Sequence, residues 1–477
     1  MTFMDLSFWI FLPAAALLYY AVPARWQNAA LLLASWAFYA FTTPAWLPLL
    51  IAASAAVWAV GLRLGKSSGA ARKGWMAAGA AATLGALVLL RFASAAVQRF
   101  TLALPLGLSF FTLQALGYLI DVYRGKYAAE RSFVRAALFV GYFGCVLSGP
   151  IERGDNLLVQ LEAPRRFDAN RAAHSLVTIA FGYLYKVAAA DLLAIYANAV
   201  FGDVRSYTGL ALTAGALAYG FQLYFDFAGY SLMALGVSEL LGIRVNKNFD
   251  TPYFARSIKE FWGRWHMSLS SWLRDYVYIP LGGNRKGRAR KCVNLLATFA
   301  VSGLWHGTGL TYFVWGLLHG AYQCAETLLP RRKGPGKRRA ADALGWAATF
   351  LLVQLAWVFF RAQSVSDALY LLAAQFQNAS LAGLFDAVFA AYNESFQTAL
   401  LVYAALAFTL AACAACILCD FWRRFKAPGG DLAGAAMALP RARRWILYYL
   451  LAGMVFAGYL LNNGYFATAA NTLYQNF

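Results

Sequence analysis

Charge is scarce in this chain and histidine scarcer: Asp, Glu, Lys and Arg make up 13% of 477 residues, and only four histidines occur. So little charge beside 61% hydrophobic residues excludes an ordinary soluble domain and points to an integral membrane protein. The opening stretch MTFMDLSFWIF has no Lys or Arg ahead of its apolar run, which argues against a cleaved secretory leader; it is expected to be a first membrane helix. The six cysteines lie in or beside apolar runs, a pattern that excludes an extracellular disulfide framework. Cys413, Cys416 and Cys419 recur every third residue with only Asp420 as a possible co-ligand, so they read as small residues on a packed helix face and not as a metal cluster. No repeat of fixed period, no nucleic-acid module and no linker between globular domains is apparent. The chain reads as one membrane-embedded body over 1–477, with helices at 1–104 and 340–477 flanking a core of about 105–320.

What is present is apolar length. A spanning helix needs about 20 mainly apolar residues, and such runs lie near 6–22, 28–43, 46–63, 75–91, 104–121, 174–201, 208–241, 292–309, 310–328, 342–360, 398–421 and 444–462. The fold class is therefore all-α: a polytopic integral membrane protein with about 11–12 transmembrane helices plus re-entrant or interfacial pieces, 136–149 being the candidate for re-entry. Lys and Arg crowd into 63–73, 124–135, 244–291, 331–339 and 423–444, whereas 362–422 has none. The positive-inside bias puts the crowded loops in the cytoplasm and 362–397 outside, and alternate threading puts both termini outside. The run RRKGPGKRR at 331–339 then serves as a topological anchor that meets anionic lipid.

Polar residues gather at 225–291. Asp226 and Glu239 stand in an apolar run, where ionisable groups are costly unless paired or hydrated, so they are expected to face a polar cavity. Beyond them, Trp262, Trp265, Leu269 and Trp272 share one face of a helix at 100° per residue, the pattern of an interfacial helix with its aromatic stripe toward hydrocarbon. His266 lies on that helix, as a site residue or as a hydrogen-bonded packing residue. Gly303 and Gly307 flank His306, and Gly316 and Gly320 flank His319, each in a small-xxx-small pattern that lets a second backbone approach. His319 reads as a polar link near a helix end, and His174 as an interfacial residue with no evident partner. Histidine accepts and returns a proton near neutral pH, so an imidazole inside an apolar run suits acyl transfer, metal catalysis or proton-coupled transport. Metal ligation wants HxxxH, HxH or paired carboxylate spacing, and none is present. Transport stays open, although the two halves show no internal symmetry.

Three segments, FDFAGYSLMALG, NFDTPYFARSIKEFWGRWHMSLSSWLRDYVYIPLGGNRKG and GLWHGTGLTYFVWGLLHG, resemble the ordered motifs of the membrane-bound O-acyltransferase family. Upstream, PLGLSFFTLQALGYLIDVYRG at 105–125 and LSGPIERGDNLLVQL at 147–161 resemble the same family's N-terminal signatures, so the likeness spans most of 105–320. It implies a ring of helices around a central tunnel, with funnels from both faces meeting near the WHG histidine, here His306. It also implies His306 and His266 as catalytic, and Asp226, Trp265, Arg274, Asp275, Asn284 and Trp305 as residues that bind substrate or line the tunnel, with no metal. RDYVYIPLGGNRKG most resembles the bacterial branch that O-acetylates exported polysaccharides such as alginate and peptidoglycan. After WHG this chain reads Thr308, Gly309 and Leu310 where the alginate enzyme usually has Ala-Asn-Trp, which leaves the acceptor open.

The resemblance thus implies a transmembrane acetyltransferase of the bacterial inner membrane. Its donor substrate would be acetyl-coenzyme A or an acyl-carrier thioester, with no permanently bound cofactor. Membrane lipid and a periplasmic acetyltransferase- or esterase-like protein would be its partners. Arg264, Arg274, Lys286 and Arg288 are expected to attract the anionic donor. The alternatives are D-alanyl transfer to teichoic acid and a lipid or glycan translocator that performs no acyl chemistry.

Overall fold

A computed structural model describes residues 1–96, 105–329, 339–427 and 429–463. The basic run 331–339 therefore falls outside the described residues except for Arg339, as does the C-terminal tail from residue 464. Among the described residues there is no strand, and each apolar run expected to span the membrane is a helix. Six stretches are both long and apolar enough to cross: Pro44–Lys66, Gly69–Leu90, Ala169–Gly202, Ala340–Arg361, Ala399–Phe425 and Arg441–Asn462. The chain is a polytopic membrane protein. Apolar side chains face outward along many of its helices, Leu33, Leu351, Leu410 and Leu450 among them, as a lipid solvent requires.

The fold falls into two compact units. The first comprises Met1–Ile179 and Tyr230–Lys247. Its helices are α1 (Phe8–Ala21), α2 (Gln27–Thr42), α3 (Leu47–Lys66), α4 (Gly69–Ala96), α5 (Leu108–Arg124), α6 (Phe133–Gly141), α7 (Gly154–Gln160) and most of α8 (Ala169–Tyr183). Phe3, Phe8, Phe11, Phe38 and Phe143 interlock in its core at centroid separations of 4.8–6.1 Å. The re-entrant candidate 136–149 takes in the last six residues of the nine-residue α6 and a buried turn after it. At 1.5 Å per residue α6 is about 14 Å long, half of what a crossing needs. His174, for which no partner was expected, meets Glu239 with Nδ1 2.8 Å from Oε2, so each polar group lowers the other's cost of burial.

The second unit comprises Ala180–Gly229 and Asn248–Leu473. A π-helical turn, Leu184–Ala190, leads into α9 (Asp191–Gly202). Then come α10 (Gly209–Leu240, which ends in the first unit), α11 (Ile258–Trp262), α12 (Met267–Leu273), α13 (Gly287–His306) and α14 (Leu310–Leu328). The remainder is α15 (Arg339–Arg361), α16 (Val365–Ala374), α17 (Leu381–Phe396), α18 (Ala399–Phe425), α19 (Leu432–Met437) and α20 (Arg441–Asn463). α16 and α17 occupy the Lys- and Arg-free region where the sequence offered no span. Ser364 and Ser380 cap them by accepting the backbone N–H of Asp367 and of Gly383.

α13 and α14 form a tight antiparallel hairpin, and glycine sets its separation. A Cβ on Gly303 would lie 2.4 Å from the carbonyl oxygen of Tyr312, and one on Gly316 would lie 2.3 Å from that of Phe299. No side chain fits there, so the small-xxx-small pattern is a packing seam. Gly316→Ala is expected to force the helices apart and cost about 1–3 kcal/mol, in the range for overpacking. Gly453→Ala, where a Cβ meets nothing within 4 Å, is the neutral control. Thermal unfolding in detergent checks the pair: Gly316→Ala lowers the midpoint and Gly453→Ala does not.

Candidate functional site

The hairpin positions His306. It is the last residue of α13, not a mid-helix residue, and it is followed by Gly307 in extended backbone and by exposed Thr308, Gly309 and Leu310. Its position at the far end of α13 places it about 22–27 Å along the helix from Arg288, Arg290 and Lys291 in the first turns. The imidazole is buried, 5.1 Å from the ring centroids of both Trp315 and Phe360 and 4.7 Å from that of Trp305. Trp305 also stands 6.2 Å from His266. One indole thus lies beside both histidines that the motifs single out.

His266 reaches this position because its helix is broken. One helix was expected to carry Trp262, Trp265, Leu269 and Trp272, but α11 stops at Trp262 and α12 begins at Met267. His266 between them adopts φ 41° and ψ 54°, left-handed backbone that costs a non-glycine residue about 1–3 kcal/mol and concentrates at functional sites. The break also explains why the stripe does not face hydrocarbon: Trp262, Trp265, Leu269 and Trp272 are all buried within the protein. Phe227 packs edge-on to His266 at 4.7 Å. His266 lies outside the spanning helices, and burial alone pushes its imidazole down to about 3. Burial thus favours the neutral ring.

Around these two residues an aromatic wall continues through Trp315, Trp357 and Trp265, with Trp315 stacked on Trp357 at 5.7 Å and Trp357 4.9 Å from Trp265. His319 stands in the middle of α14, not near its end, and its Nδ1 accepts from Trp262 Nε1 at 3.2 Å. That bond leaves the proton on Nε2. Among the described residues, His319 Nε2, Trp315 Nε1 and Ser302 Oγ are buried without a hydrogen-bond partner. Ser302 lies one helical turn before His306, on the same face.

The other candidates lie apart from this cluster or beside it. Asp226 precedes Phe227 on α10 and pairs with buried Lys186 at 2.6 Å, so it meets a cation where a polar cavity was expected. Lys186 also pairs with Asp191, which makes a buried triad. The sequence reading missed both. Lys186 and Asp191 are five apart, a spacing that an α-helix does not bring together. The π-helical turn, in which Asp191 N–H donates to the Lys186 carbonyl, does so. Arg274 and Asp275 pair with each other at 2.9 Å on a π-helical turn after α12, with Arg274 largely exposed. Asn284 and Lys286 are exposed on the following loop, and Arg288 is exposed in the first turn of α13. Arg264 departs from its expected role of attracting a donor: Asp250 and Glu260 hold its guanidinium at 3.0 and 3.1 Å.

The membrane-bound O-acyltransferase family model matches residues 128–365, which include both histidines, the hairpin and Lys186. Alginate O-acetylase AlgI of Pseudomonas fluorescens is 39% identical over 361 residues, 75% of this chain and 71% of that protein. This chain belongs to the membrane-bound O-acyltransferase family. The peptidoglycan O-acetyltransferase of Helicobacter pylori is 32% identical over 405 residues, 76% of this chain and 77% of that protein. The teichoic acid D-alanyltransferase of Streptococcus thermophilus is 34% identical over 289 residues, but these are 54% of this chain and 68% of that protein. The protein is therefore a membrane acyltransferase that draws on an acyl donor. Among the described residues no group of three or more His, Cys, Asp or Glu side chains is arranged to hold a metal.

Proposed function

We propose that this chain moves an acetyl group from a cytoplasmic thioester, acetyl-coenzyme A or an acyl-carrier thioester, to a hydroxyl acceptor for O-acetylation of an exported polysaccharide such as alginate or peptidoglycan. The observation that carries the reading is the Trp305-linked pair of histidines, with His306 at a helix terminus beside an exposed turn. His306 takes the acceptor hydroxyl proton as the oxygen attacks the thioester carbonyl, and returns it to the departing thiolate. The terminal carbonyls of α13 carry partial negative charge and stabilise the imidazolium formed between these steps. His266, which also neighbours Trp305, orients the donor. Ser302 Oγ and Trp315 Nε1, buried and unpaired, offer hydrogen bonds to a carbonyl or hydroxyl arriving beside His306.

The basic loops and the exposed Lys286 and Arg288 face the cytoplasm and the anionic donor, and both termini lie in the periplasm. The acceptor hydroxyl belongs to the glycan or to a periplasmic acetyltransferase- or esterase-like protein that passes the group on. A tunnel joins the two compartments at His306. The relatives named for O-acetylation match about three-quarters of this chain and the D-alanyltransferase about half, which favours acetyl over D-alanyl transfer.

Proteoliposomes loaded with acceptor and supplied outside with radiolabelled acetyl-coenzyme A test the proposal against translocation. The expected result is free thiol outside and label on the acceptor inside. Movement of lipid or glycan with the thioester intact overturns it in favour of a translocator.

A further inference from the structure

Residues on either side of His266 are held by hydrogen bonds to a second segment of chain, Asn248–Asp250. Met267 N–H donates to the Asn248 carbonyl at 2.9 Å, and Ser268 Oγ donates to Asn248 Oδ1 at 2.7 Å. On the other side, Asp250 N–H donates to the Arg264 carbonyl at 3.0 Å. The Asp250 carboxylate receives Arg264 Nη1, also at 3.0 Å. Asn248 is fully buried, and Ser268 nearly so. These ties grip residues 264, 267 and 268 and leave 266 between them in its left-handed conformation. Neither α11 nor α12 supplies a reason for that conformation. A regular helix through 263–267 would carry the ring round by 100° per residue, away from its place beside Phe227 and Trp305.

We infer that Asn248 and Asp250 are positioning residues whose hydrogen bonds to Arg264, Met267 and Ser268 hold the His266 ring in its place for the acyl donor. The inference rests on the proposed donor-side role of His266 and assigns that role two residues at the start of the same motif segment, 18 and 16 residues before the histidine. Arg264 acts here as the charged half of the clamp. Its guanidinium is fixed from below by Glu260, which Arg424 of α18 also contacts at 3.0 Å. The clamp is therefore anchored to a long helix and does not hang on a free loop. Preorganisation of this kind carries large kinetic weight, because a displacement of about 1 Å at a reacting group costs on the order of 100-fold in rate.

The test uses full-length protein in nanodiscs, with initial rates over a range of acetyl-coenzyme A. Asn248→Ala is expected to lower kcat/KM by about tenfold to 100-fold, chiefly through KM for the donor. Asn248→Asp keeps an acceptor for Ser268 and should retain most of the donor affinity. Ser268→Ala breaks the same tie from the other side and should reproduce the KM rise if the Asn248 variants fold poorly. The deciding measurement is the double variant of Asn248→Ala with His266→Ala. A residue that acts only through His266 adds no further loss once that ring is gone, and losses that multiply overturn the inference. If His266→Ala alone has wild-type donor kinetics, the reading of His266 fails. The clamp is then judged by hydrogen exchange over peptide 264–270, which Asn248→Ala must accelerate about tenfold or more. Unchanged exchange overturns it.

Discussion

His306→Ala is expected to lower acetyl transfer by about 100-fold to 10,000-fold, the range for loss of a positioned general base. The protein should still fold, because the seam that builds the hairpin is made of Gly303, Gly307, Gly316 and Gly320 and not of the imidazole. The loss should fall on kcat, with donor KM little changed, since the ring is assigned to the step in which the hydroxyl attacks. A stopped-time assay of label on the acceptor, beside a thermal midpoint within a few degrees of wild type, checks both halves. Full transfer by His306→Ala would remove the base. A collapsed midpoint would instead make the residue a packing element between Trp305, Trp315 and Phe360.

Much of this site could be read from residue order alone, and the parts that could not share a cause. Apolar runs of spanning length became helices because hydrocarbon leaves a backbone few other ways to satisfy its hydrogen bonds. The glycine spacing around His306 and His319 predicted a close helix approach for the same kind of reason: whatever packs there must do without a Cβ. Both are local properties, and local properties are written in local sequence. The break at His266 is not, because Trp262, Trp265, Leu269 and Trp272 around it have helical periodicity. The conformation is imposed by Asn248 and Asp250, which lie 18 and 16 residues earlier in the chain. Arg264 was misread for a related reason, since a cation seen without its partners looks available to a ligand. Its partners Asp250 and Glu260 were both visible in the sequence, but only the fold brings Asp250 to it.

The buried triad gives the second large effect. Lys186→Met should destabilise the protein by about 3–5 kcal/mol, the cost of removing one member of a buried charge cluster. Asp191 and Asp226 would then share a buried site with no cation between them, although in the wild type each meets the ammonium. The size of the loss should depend on which charge goes. Asp226→Asn leaves Lys186 paired with Asp191 and is expected to cost less than Lys186→Met. Combining Lys186→Met with Asp191→Asn and Asp226→Asn removes every charge and should recover much of the loss, because uncharged groups of similar volume often substitute for a buried ion pair with little penalty. Thermal midpoints of the four proteins in one detergent check this order, and a triple variant no more stable than Lys186→Met would contradict it. Transfer activity adds a second measure. Phe227 follows Asp226 and packs on His266 at 4.7 Å. A triple variant that regains its midpoint but not its donor KM would mean that the triad fixes the register of α10 against His266 as well as the stability of the helix.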